Sequence, residues 1–72
     1  MILDTKGLRC PLPVLRARRA LKEVANGGTL TVLATDPGAV KDFEAFCEAT
    51  DCELLGWREE HGVFTFEIRK PA

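Results

Sequence analysis

Cys10-Pro11-Leu12-Pro13-Val14-Leu15-Arg16-Ala17-Arg18-Arg19-Ala20-Leu21 reads as a thiol set at the mouth of a basic amphipathic helix. The prolines belong there. First-turn amides of a helix have no internal acceptor, so deleting them costs no helical hydrogen bond. At about 100° per residue, Val14, Ala17, Leu21 and Val24 fall in one apolar stripe, which predicts a helix over 11–25 with that stripe on the core. Leu15 falls outside the stripe, beside Arg18, Arg19 and Lys22. An apolar side chain among cations one turn beyond the thiol is a candidate partner contact.

Asn26-Gly27-Gly28 supplies residues that tolerate a left-handed cap and ends this helix. Upstream, Met1 to Leu3 is a short apolar strand, and Asp4 to Arg9, with Gly7, is a loop. Downstream, Thr29 to Thr35 is rich in β-branched residues and predicts a strand. Asp36 and Pro37 read as the N-cap and first position of a second helix reaching about Thr50. Cys52 to Glu60 and Val63 to Lys70 are strands joined by a turn at His61-Gly62. Phe64, Phe66 and Ile68 alternate with Val63, Thr65 and Glu67, giving the last strand one apolar face. The predicted fold is a two-layer α/β sandwich of order β-α-β-α-β-β: a four-stranded mixed sheet with both helices on one face. A chain of 72 residues has room for one domain, spanning 1–72.

Composition narrows the class. Hydrophobic content of 46% with 29% charged residues is that of a globular chain. No apolar run is long enough for a membrane span, and the N-terminus lacks a signal-peptide layout, so a cytoplasmic location is expected. Three cysteines cannot close into a full set of internal disulfides, which fits a reducing compartment. Cys10, Cys47, Cys52 and His61 are on paper four zinc ligands, but their spacing is not that of paired zinc ligands, and no metal or cofactor is expected.

Net charge is −1, yet its distribution is uneven. Lys6, Arg9, Arg16, Arg18, Arg19 and Lys22 crowd the first third, whereas the remainder is acidic. The net charge argues against a general nucleic-acid binder, while the asymmetry suggests a localised docking surface for an acidic partner or RNA.

Cys10 is the chemical candidate. It adjoins a helix N-terminus, follows a flexible loop and neighbours Arg9, three features that favour a thiolate. Pro11 and Pro13 remove amides that would cradle it, so the predicted depression of its pKa is modest. Cys47 falls on the apolar stripe of the second helix with Val40 and Phe43, with Phe46 at its edge, and reads as a buried small hydrophobe. Cys52 reads as structural or as a resolving thiol. His61, in a turn, is no partner base for Cys10, and no Cys-x-x-Cys is present. Thiol exchange remains. Two other classes stay open: a non-catalytic RNA- or protein-binding regulatory module using the basic helix, and a thiol redox sensor pairing Cys10 with Cys52.

Gly7-Leu8-Arg9-Cys10-Pro11-Leu12-Pro13, followed by the basic helix, Asn26-Gly27-Gly28, Thr35-Asp36-Pro37 and Phe46-Cys47, resembles the TusA/SirA-type sulfur-carrier family along nearly the whole chain. The resemblance implies the β-α-β-α-β-β sandwich and a persulfide carried on Cys10. It implies a sulfur donor, a cysteine desulfurase or another sulfurtransferase. It further implies an acceptor protein in a relay such as tRNA 2-thiouridine formation or sulfur oxidation. Gly7, Arg9, Pro11 and Pro13 would shape the site, and Arg18, Lys22 and Asp36 match docking positions, beside Leu15 and Arg19 on the same helix flank. A monomer without direct nucleic-acid or membrane contact is expected.

Overall fold

The structure, a computed structural model, describes residues 1–72. Its elements follow the predicted order: β1 (Ile2–Thr5), α1 (Leu12–Leu21), β2 (Thr29–Ala34), α2 (Ala39–Thr50), β3 (Glu53–Glu60) and β4 (Val63–Arg69). They form one four-stranded sheet in the order β1-β2-β4-β3. β1 and β2 are parallel; β4 is antiparallel to both β2 and β3. The hairpin turn between β3 and β4 places His61 and Gly62 at φ 51° and 80°, the positive pair that a tight two-residue connection requires.

Register decides what is buried. Leu30, Val32 and Ala34 of β2 sit opposite Ile68, Phe66 and Phe64 of β4, and these residues share the face under the helices. α1 contributes Ala17, Ala20 and Leu21, and α2 contributes Ala39, Phe43, Phe46 and Cys47. Phe43, fully buried, packs its ring 4.6 Å from that of Phe66. Ala17 is also fully buried; its small side chain lets α1 lie close to the sheet. The other face carries Thr31, whose hydroxyl donates to the Glu67 carboxylate at 2.9 Å, and is largely exposed or half-buried. Phe46 proves to be core rather than edge, and Val14 is only partly buried.

Two helix boundaries differ from expectation. α1 stops at Leu21 instead of Ala25. Beyond it the amides of Lys22, Glu23 and Val24 turn to carbonyls three residues back, tightening the chain. The carbonyls of Leu21 and Val24 also accept from the Lys70 ammonium at 2.8 and 2.9 Å. Lys70 also donates its backbone N–H to Gly28 and accepts from Gly27. A cation arriving from the far end of the chain thus ends the helix, a device local sequence does not encode. α2 begins at Ala39 with Gly38 as N-cap, not at Pro37. Asp36 caps the preceding turn: its backbone carbonyl accepts from Ala39 and its carboxylate from Gly38.

Lys70→Met keeps the aliphatic stem but leaves two carbonyls without their cation. It should lower unfolding free energy by about 1–2 kcal/mol, measured by urea denaturation. Burial, and secondarily Cys52, push the Cys47 thiol up from about 9 to about 11. The folded thiol therefore stays protonated where the unfolded one ionises. Its stabilisation is complete below about pH 9 and is lost as pH rises through about 11. Wild type should lose about 2–3 kcal/mol more than Cys47→Ala across that window, read from denaturation curves at each pH.

Candidate functional site

Parallel pairing of β1 with β2 brings the loops that follow them to the same sheet edge. The loop from Lys6 to Pro11 and the loop from Thr35 to Gly38 are stitched together there. Gly7, at φ 83°, donates its N–H to the Thr35 hydroxyl at 2.9 Å. That left-handed backbone is strained for any residue with a Cβ. Cys10 donates its N–H to Asp36 Oδ2 at 3.0 Å, while Gly38 donates to Asp36 Oδ1 at 3.4 Å. One carboxylate thus ties the thiol-bearing loop to the start of α2. The Cys10–Pro11 peptide is cis, and Pro11 is the N-cap of α1.

Cys10 is exposed, and its side chain opens on a hollow of about 300 Å³ between the N-terminal halves of the helices. Val14, Arg18, Asp42 and Phe46 also line it. Cys10 Sγ and one carboxylate oxygen each from Asp36 and Asp42 lie within 4.8 Å of one another. The thiol pKa is accordingly raised. A hydrogen bond from the thiol to Asp42 is the largest cause, with desolvation and the negative charges of Asp42 and Asp36 behind it.

This corrects the expected depression of the Cys10 pKa, and the reasons are local. Leu12, the first α1 amide, donates to Arg9 O at 2.8 Å rather than toward sulfur. Arg9 lines a separate hollow with Gly7, Thr35 and Asp36. With the Leu12 amide engaged elsewhere, the two carboxylates outweigh the helix dipole. Asp42 was not singled out from the sequence. Its position in the first turn of α2 is the available signal, because β1 and β2 place both helix N-termini at one edge.

The remaining candidates divide. Pro11 lines the Cys10 hollow, whereas Pro13 is buried and anchors the first turn of α1. Leu15 is exposed at 51%. Arg18 lies over the Phe46 ring, 5.4 Å from its centroid, an exposed cation–π contact of about 0.5–1 kcal/mol. Arg18 and Lys22 also border a second hollow of about 410 Å³ with Leu21, Phe46, Cys52 and Lys70. Arg16, Arg19 and again Lys22 line a further hollow on the β1 side of α1, beside Leu3. The basic helix therefore spreads its cations over two flanks, with Lys22 at the join. Cys10, Cys47, Cys52 and His61 are not gathered; the one group with the donor types and spacing of a metal site is Cys10, Asp36 and Asp42, two of whose carboxylate oxygens already accept backbone amides. Cys10 and Cys52 sit at opposite ends of α1, which at 1.5 Å per residue separates them by roughly 15 Å, far beyond disulfide reach.

Residues 1–70 match the protein family described as sulfurtransferase TusA. The chain is 53% identical over 68 residues to the sulfur carrier protein TusA of Allochromatium vinosum, covering 94% of this chain and 90% of that one. It is 46% identical over 70 residues to the sulfur carrier protein TusA of Pseudomonas entomophila, covering 97% and 88%. The crystal structure of a SirA-like protein from Desulfitobacterium hafniense superposes over the full length of both chains with a TM-score of 0.85 at 28% identity.

Removing the carboxylate that pins the loop should loosen it selectively. Asp36→Ala should speed amide hydrogen exchange at Cys10 and Gly38 while leaving the β2–β4 amides protected, at a stability cost of about 1 kcal/mol. Unchanged exchange at Cys10 would remove Asp36 from this role.

Proposed function

The chain belongs to the TusA sulfurtransferase family, and on that premise we propose that it is a sulfur carrier working as a single domain over residues 1–72, with Cys10 as the sulfur-bearing residue. The observation that carries this reading is the exposed Cys10 thiol, held by its own amide to Asp36 at the open end of the interhelical groove. A thiol so presented can meet a sulfur on another protein without admitting a small substrate to an enclosed pocket.

The reaction is thiol exchange. Cys10 sulfur attacks the terminal sulfur of a donor persulfide. The donor S–S bond breaks, its inner sulfur leaves with the electron pair and takes up a proton, and a new S–S bond forms on Cys10. Thiol plus persulfide gives persulfide plus thiol, so no external oxidant is consumed. An acceptor thiolate then takes the outer sulfur in the same way. The donor would be a cysteine desulfurase or another sulfurtransferase, and the acceptor a protein thiol in a relay to tRNA 2-thiouridine or in sulfur oxidation. Leu15, Arg18 and Lys22 would meet these partners on the α2-facing flank and rim of α1, with Arg19 extending the contact toward β1. The cytoplasm is the compartment proposed. No helix is long and apolar enough to cross a membrane.

The regulatory-module reading draws less support, because the α1 cations spread over two flanks that only Lys22 joins. The redox-pair reading is opposed by the separation of Cys10 from Cys52.

Incubation with a cysteine desulfurase and cysteine, followed by intact-mass measurement, should add about 32 Da, the mass of one sulfur, to wild type and nothing to Cys10→Ser. An unmodified wild type beside a competent donor, or a Cys10→Ser protein that still gains the mass, would overturn the assignment.

A further inference from the structure

We propose that Asp42 is a gating carboxylate: it holds Cys10 in its thiol form in the free protein and so confines the sulfur's reactivity to encounters with a partner. The inference rests on the reading of Cys10 as the sulfur-bearing residue. It stands on geometry. Asp42 projects from the first turn of α2 into the hollow that Cys10 borders, and its carboxylate lies within 4.8 Å of both Sγ and the Asp36 carboxylate. Asp36 already serves two backbone amides, from Cys10 and Gly38. Asp42 has no such structural duty; no other side chain hydrogen-bonds or ion-pairs with it.

The charged groups around the sulfur are few. Asp36 and Asp42 face it from the α2 side; Arg18 of α1 shares the hollow but lies over Phe46; Arg9, next in sequence, points into a different hollow. Two anions therefore stand within 4.8 Å of the thiol sulfur, and neither is ion-paired with a cation. Raised proton affinity at Cys10 follows from the same arrangement.

Basicity separates gating from base catalysis. A carboxylate is typically about five pKa units less basic than a thiolate. Asp42 therefore attracts the proton without removing it, and it opposes the negative charge that would build on sulfur if the proton left. Loading must still expel that proton, which ends on the departing donor sulfur in the balanced exchange given above. The free protein is thereby shielded from small electrophiles that react only with thiolate.

The test is the pH–rate profile of Cys10 alkylation by iodoacetamide, followed by peptide mass spectrometry so that Cys52 is counted separately. Asp42→Asn should move the midpoint to lower pH and quicken alkylation at pH 7 roughly threefold, because the thiolate fraction gains more than its nucleophilicity loses. Asp42→Glu, which restores the charge, should return the profile toward wild type. An Asp42→Asn profile that coincides with wild type overturns the proposal. So does an Asp42→Glu profile equal to that of Asp42→Asn, which would tie the effect to lost packing rather than to charge. Alkylation reads the hold on the thiol, whereas intact mass after incubation with a donor reads sulfur carriage, so the two proposals fail separately.

Discussion

The Asp36 carboxylate is the joint of this molecule. It accepts the Cys10 amide on one oxygen and the Gly38 amide on the other, across 26 residues of sequence. The loop bearing the thiol has little apolar surface to bury, so packing alone would not fix it. A charged acceptor shared between that loop and the entrance to α2 does so at the cost of one side chain. The sheet supplies the precondition, since parallel β1 and β2 deliver the two loops to one edge.

Much of this architecture is legible in the amino-acid order because the patterns are strongly periodic. Alternation in Val63 to Ile68 identified the buried face of β4, and the His61-Gly62 turn was marked by the residue types that tolerate positive φ. Where the reading missed, a distant residue had intervened. α1 ends early because Lys70 captures its carbonyls, and nothing between residues 21 and 25 records that. The environment of Cys10 was misjudged for the same reason. Local features, a helix start and an adjacent arginine, pointed to a stabilised thiolate, whereas the groups that set its proton affinity sit on α2. The motif around Cys10 therefore marks an exposed thiol, and tertiary structure sets its proton affinity.

The groove beside the thiol has two characters. Its upper part, near Cys10, is acidic on the α2 wall, while its lower part, near Cys52, carries Arg18, Lys22 and Lys70. Arg18 and Phe46 border both and mark the boundary between them. Along its length the groove therefore carries a gradient of potential rather than a uniform patch.

The Lys70 cap has a consequence in time. Its acceptors lie 49 and 46 residues earlier in the chain, so the contact closes one of the longest loops in the fold. Long loops carry the greatest closure entropy, and contacts that span them form late unless other structure shortens the path. The C-terminal end of the first helix is therefore set only when the last strand has docked. During synthesis, a chain still lacking its last residues would hold α1 without the cation on the Leu21 and Val24 carbonyls, whereas the Asp36 tie at the other end of that helix needs only residues 1–38. The two ends of α1 thus depend on segments made at different times, the cysteine-bearing end on the first half of the chain and the other on its last residues.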